Sequence, residues 1–401
     1  MIIAVVASYS AAYSTAGERG QLLSSLAANA GLKALLGPAR SLNTVGGFTA
    51  WRSMSFLPLV AAAWGLIAAT GALRGEEDAG RRATVIAGVV GRGRYTAATF
   101  VGLLWASMAL LGVTAVATGG AALVDGGFGI GGALFLSIGL WAAAPVYMAV
   151  GALTSQVAPT RKLASGMAAC VLGITWVMRV AADSDSSLDW LRWASPLGWI
   201  EELRPMAGQR LWPIALIAAL TALLASSAVY MSARRDDGSS VLRLSTDRAP
   251  RPWLLGSAAG LALRERLGGL AGWSVGVSVA MFTYGALSKT VADIAKSATG
   301  IQKHVSQTME SPVSVATARG YLALLFLFLA IVVALHAVSH SNAAAEEERE
   351  GRAATVLGGA VSRRDWFLAR VAVQLLGIAA VCSCAAVAAW LGAEATGAGV
   401  T

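Results

Sequence analysis

Residues 51–73 read Trp51-Arg52-Ser53-Met54-Ser55-Phe56-Leu57-Pro58-Leu59-Val60-Ala61-Ala62-Ala63-Trp64-Gly65-Leu66-Ile67-Ala68-Ala69-Thr70-Gly71-Ala72-Leu73. A single charge, Arg52, stands near the start of these 23 residues. As a helix they rise about 35 Å, enough to cross a hydrocarbon core of about 30 Å. Working outward, comparable runs lie near 95–118, 131–153, 163–182, 213–232, 269–290, 319–340 and 366–391. A shorter one, 1–13, would rise only about 20 Å. It lacks the basic leader of a signal peptide and reads as the outer end of a span that begins before Met1. No run shows the dyad alternation of a membrane barrel.

Composition agrees. Of 401 residues, 56% are hydrophobic and 13% charged, and mean hydropathy is +0.64. Soluble domains carry about a quarter charged residues, which argues against an aqueous globular enzyme. The formal charge of +9 then reads as membrane orientation, not as affinity for nucleic acid. Cys170, Cys382 and Cys384 lie inside apolar runs and form neither a metal spacing nor a disulfide framework.

Alternating the sides of the spans divides the Lys and Arg residues unevenly. Segments 74–94, 154–162, 233–268 and 341–365 hold 18, against 8 in 14–50, 119–130, 183–212, 291–318 and 392–401. The richer side is predicted cytoplasmic. Trp51, Trp190, Trp193, Trp212, Trp273, Trp366 and Trp390 fall near predicted interfaces, as an aromatic belt does. Segment 183–212, with its tryptophans, reads as a surface helix resting on the membrane. Leu261–Trp273 reads as an interfacial amphipathic helix preceding a span.

The sharpest signal is internal. Shifted by 271 positions, residues 76–92 (EEDAGRRATVIAGVVGR) superimpose on 347–363 (EEREGRAATVLGGAVSR) with ten of 17 identical. The shared positions include Glu76 and Glu347, Glu77 and Glu348, Gly80 and Gly351, Arg81 and Arg352, and Thr84 and Thr355. Apolar runs flank each copy, and the six spans between the copies, an even number, put both on one side. This predicts a parallel tandem repeat about an axis along the membrane normal. A charge cluster serving orientation alone has no need of Thr84-Val85 and Thr355-Val356. An acidic start followed by basic and apolar positions suits a short helix along the membrane surface with a face for a partner.

These loops resemble the first cytoplasmic loop of type-2 ABC exporter permeases, and the doubled form resembles the polyketide-antibiotic, or tetronasin-resistance-type, branch. Leu36-Gly37-Pro38 with Gly46-Gly47, and Ser195-Pro196-Leu197-Gly198-Trp199 with Arg204-Pro205, fit the same branch. The resemblance implies an all-helical polytopic permease in the bacterial inner membrane, built from two six-span halves. Here the first span is clipped and the second half stops after three. It also implies that Glu76, Glu77, Gly80, Arg81, Thr84, Glu347, Glu348, Gly351, Arg352 and Thr355 form cytoplasmic coupling helices. These would dock on a separate ATP-binding-cassette ATPase, most simply a homodimer, which would carry ATP and Mg. The expected divisions are a first half (1–232), a cytoplasmic linker with the interfacial helix (233–268) and a second half (269–401).

The chemistry the chain lacks points the same way. There is no phosphate-binding loop of the Gly-x-x-x-x-Gly-Lys-Ser/Thr type, no nucleophile elbow and no metal site. His336 and His340 share a helix face without a third ligand. Arg179, Lys289, Arg319 and Arg370 lie near span ends, where they can snorkel, and no carboxylate is central in a span. The chain reads as a transport subunit with no catalysis or cofactor of its own, exporting amphipathic compounds. Phe56, Trp64, Phe326 and Phe328 are the candidate cavity-lining aromatics. An ion- or proton-coupled exporter, or a membrane assembly or sensor protein, is the alternative.

Overall fold

A computed structural model of the chain describes residues 36–88, 90–125, 129–184, 186–242, 253–286, 318–349, 351–359 and 361–397, with isolated positions 2, 3, 6, 9, 33 and 288. Among the described residues all regular structure is helical, and seven helices are long and apolar enough to cross a membrane. The chain divides into two compact units, Met1–Thr246 and Asp247–Thr401.

The first unit opens with α1 (Val45–Met54), whose first turn is capped by the Thr44 hydroxyl accepting from the Gly47 N–H at 3.0 Å. It continues as α2 (Leu57–Thr70), a π-helical turn over Gly71–Gly75 and a last turn over Glu76–Asp78. After α3 (Arg81–Ile86) come α4 (Arg92–Asp125), α5 (Ile130–Trp141), α6 (Ala143–Val157) and α7 (Arg161–Ser184). The short α8 (Leu191–Ala194) and α9 (Pro196–Glu201) lead into α10 (Trp212–Arg234). Segment 183–212 therefore folds into short helical pieces where a single surface helix was expected. Two prolines set the breaks: α1 ends at Met54 and α5 at Trp141, each four residues before Pro58 or Pro145. A proline ring clashes with the carbonyl four residues back, so the regular ladder stops there.

At the centre lies α6. Ala143, Ala144, Val146, Tyr147, Met148 and Ala149 are fully buried, and the helix packs on α2, α7 and α10. Small residues allow this approach: a Cβ added to Gly65 would lie 2.5 Å from the Ala144 carbonyl oxygen, and one on Gly151 2.9 Å from that of Leu66. Hydroxyl pairs tie the helices laterally, among them Tyr147 with Thr175 at 2.5 Å and Thr96 with Ser232 at 2.7 Å.

The second unit holds α11 (Ala258–Ala286), α12 (Ala318–Arg349), α13 (Arg352–Leu357) and α14 (Arg363–Ala395). Its core joins Val277 and Met281 of α11 to Leu329 of α12 and Val381, Ala385 and Ala389 of α14. The stretch Leu261–Trp273 is not a separate interfacial element, because α11 runs through it unbroken. Most of the run 1–13 and of segment 291–318, together with Lys289, lies outside the described residues.

Candidate coupling loops

Each repeated loop is built alike. A long helix ends, a glycine takes the left-handed conformation, a six-residue helix comes next, and then another long helix begins. Gly80 has φ 72° and Gly351 φ 73°, a region glycine enters without the Cβ penalty. In the first loop α3 presents Arg81, Thr84 and Val85 to solvent. The Arg81 guanidinium donates to both carboxylate oxygens of Glu76 at 2.6 Å, and this pairing raises its pKa above the ordinary value. The Thr84 hydroxyl donates to the Arg81 carbonyl at 2.7 Å. In the second loop Glu348, Arg352 and Thr355 are likewise exposed.

The other acid of each pair turns inward. The Glu77 side chain is 5% exposed and accepts from three arginines: Arg74 at 3.3 Å, Arg82 at 2.8 Å and Arg235 at 2.5 and 2.7 Å. It also accepts from the Gly238 N–H at 2.9 Å. Arg74 reaches Asp78 at 2.9 Å, and Arg82 reaches Asp237 at 3.5 Å. Three guanidiniums thus face three carboxylates, and the side chains of Arg74, Arg82 and Arg235 are nearly out of water. Arg235 is further held by the Gln156 carbonyl oxygen at 3.1 Å and the Ser239 carbonyl, and Arg82 donates to the Ser232 hydroxyl at 2.9 Å. Balanced charge and dense hydrogen bonding are what let such a cluster tolerate burial. In the second unit Glu347 accepts from Arg266 at 2.7 Å and from Arg370, whose guanidinium also sits 3.9 Å over the Trp366 ring.

The buried acids are not the aligned ones. Glu76 aligns with Glu347, yet it is Glu77 that is buried. A π turn holds one residue more than an α turn and so rotates the residues after it by about 100°. The π turn at Gly71–Gly75 lies just upstream of Glu76, whereas the second copy is preceded by an α-helix. Glu77 therefore takes the angular place that an uninterrupted helix would give to Glu76. Arg235 escaped sequence reasoning because it is 158 positions from Glu77.

Other expected residues lie elsewhere. Phe56 and Trp64 are exposed on the first unit and Phe326 on the second, and Phe328 is helical with a side chain outside the described residues. Arg179 and Arg370, expected to snorkel, are buried in ion pairs instead: Arg179 meets Glu201 at 3.1 Å and Asp183 at 3.3 Å. His336 and His340 are buried with ring centroids 6.2 Å apart, and no group of three metal-binding side chains occurs among the described residues.

A second ion-pair cluster closes the other end of the first unit. Glu202, nearly fully buried, accepts from Arg40 at 2.8 Å, Arg204 at 2.8 Å and Arg210 at 2.9 Å. Burial alone would push its carboxyl up, but Arg40 and Arg204 outweigh this and hold it below the ordinary carboxylate value. Beside it, Leu36, Pro38, Gly47, Trp51, Arg204 and Pro205 line one cleft, bringing together short motifs that are far apart in sequence.

Apolar helices of spanning length, small-residue packing and charge confined to the helix ends define a multi-pass helical membrane protein. The chain belongs to the family described as multidrug efflux system permease Rv1217c, C-terminal domain, whose model matches residues 1–231 and 255–401. It is similar to the multidrug efflux system permease protein Rv1217c of Mycobacterium tuberculosis, 29% identical over 386 residues that cover 96% of this chain and 68% of that protein.

Proposed function

We propose that the chain is the membrane-spanning part of an ATP-driven efflux pump for amphipathic, drug-like compounds, powered by a separate ATPase. The similarity to a multidrug efflux system permease along nearly the whole chain carries this reading. The two loops support its energetic half, because each presents an exposed short helix beyond a left-handed glycine. In this reading α3 and α13 are coupling helices on the cytoplasmic side of the bacterial inner membrane, arranged as a parallel repeat. Each docks on one copy of an ATPase homodimer that holds ATP and its Mg2+. Closure of the ATPase draws the loops together and tilts the helices on either side, so that a cavity releases substrate outward. The motifs gathered around the outer cleft favour the polyketide-antibiotic branch.

The test is reconstitution of the permease in proteoliposomes with an ATPase encoded beside it. Lipophilic compounds are expected to stimulate hydrolysis and to be moved only when ATP is present. Transport driven by a proton gradient without ATP would overturn the reading.

A further inference from the structure

A carboxylate that docks on a partner must be free to leave its own surroundings. Glu76 and Glu348 meet that condition, since the first is bound to a solvent-exposed Arg81 and the second is exposed. Glu77 does not. It is bound by Arg74 from its own helix, by Arg82 from α3, by Arg235 from the end of α10 and by the backbone of Gly238 beyond it. Withdrawing it would leave three nearly buried guanidiniums facing only Asp78 and Asp237, with no carboxylate for Arg235, and an uncompensated buried charge is strongly unfavourable. Glu347 stands in the same position between Arg266 of α11 and Arg370 of α14.

We infer that Glu77 and Glu347 are positioning residues: Glu77 locks the loop helix α3 to the long helices around it, and Glu347 locks the end of α12, from which α13 follows, to α11 and α14, while contact with a partner falls to the exposed faces of α3 and α13. The first lock has a wider reach. Arg74 and Arg235 both donate to the Ser239 carbonyl, so the same cluster grips the segment that leaves α10 toward the second unit. A force applied to α3 is passed through Glu77 and Arg235 into α10 and that segment together. In the second unit α13 follows the end of α12, so a force on it reaches Glu347 along the chain and passes through that side chain into α11 and α14. The transmission role rests on the coupling reading proposed above, whereas the lock itself does not.

The experiment therefore has two arms. In the first, the purified permease alone carries a spin label at Ser239, which is exposed beside the cluster, or at Thr355 on α13. Glu77→Gln is expected to convert the Ser239 label from a restricted to a mobile spectrum, and Glu347→Gln to do the same at Thr355. Glu76→Gln and Glu348→Gln are expected to leave both spectra unchanged, and Glu77→Asp to restore much of the restricted spectrum. If Glu77→Gln does not fold, Arg235→Lys, which keeps the charge and loses the two-pronged contact, gives the same reading. Unchanged labels in these variants would overturn the lock.

In the second arm, with the ATPase present, Glu77→Gln is expected to bind it with wild-type affinity but lose substrate-stimulated hydrolysis, with rescue by Glu77→Asp. Glu76→Gln is expected to weaken complex formation. Weakened complex formation by Glu77→Gln without any change in label mobility would make Glu77 a docking residue and overturn the inference. Mobile labels with no ATPase bound by any variant would leave the lock standing and sink only the coupling reading.

Discussion

Glu202 shows how a single buried carboxylate ties down one end of the first unit. Arg40, Arg204 and Arg210 converge on it from two segments of the chain. Its folded pKa is lowered, so its contribution is present above the unfolded value of about 4.3 and is lost as pH falls through the lower folded value. Glu202→Gln is expected to lower stability at neutral pH by about 1–3 kcal/mol, since its arginines keep partial access to water. The gap between wild type and variant should shrink as the medium is taken from pH 6 into the acid range. Thermal unfolding of the purified protein across that range measures it, and a gap that widens toward acid pH would contradict the assignment. Nothing local to Glu201-Glu202 distinguishes the two acids in the sequence. Their partners in space set them apart: Glu201 meets Arg179, whereas Glu202 gathers Arg204, Arg210 and Arg40, the last 162 positions away.

At the scale of elements, the contact of α2 with α6 depends on glycines whose missing side chains let the backbones approach. Gly65→Val would drive a branched side chain against the Ala144 carbonyl, which is backbone and cannot swing aside. Overpacking of this kind costs about 1–3 kcal/mol. The same change at Gly102, where a Cβ meets nothing within 4 Å, is expected to cost far less. Comparing the unfolding temperatures of the two variants in one detergent checks this. Wild-type stability in Gly65→Val would mean that α2 and α6 do not pack as described. The breaks before Pro58 and Pro145 need only local chemistry, because a proline ring acts on the carbonyl four positions back whatever the surroundings. The π turn at Gly71–Gly75 was not legible, and it turns Glu77 inward.

For the whole molecule the testable quantity is sidedness. The six spans counted from the sequence between the two loops predict that both face the cytoplasm. Cysteines introduced at Gly88 and Gly359, both exposed, are expected to react with an impermeant thiol reagent only from that side. One introduced at the exposed Ser187 is expected to react only from outside. Reaction of positions 88 and 359 from opposite sides would end the parallel-repeat reading and, with it, the docking of one symmetric ATPase on both loops.

Read alone, the sequence determined that the protein is helical, that its helices are long and apolar enough to cross a membrane, and that one loop pattern occurs twice. These come from run length, charge count and identity at a fixed shift, which depend on composition and spacing along the chain. Only the tertiary structure decided which acid of each loop is buried, that Arg179 and Arg370 are paired and not snorkelling, and that distant short motifs share one cleft. The physical reason is that burying a charge depends on what faces it in space. The guanidiniums around Glu77 come from α3 and from beyond α10 as well as from its own helix, and only the fold of the unit brings them to one point.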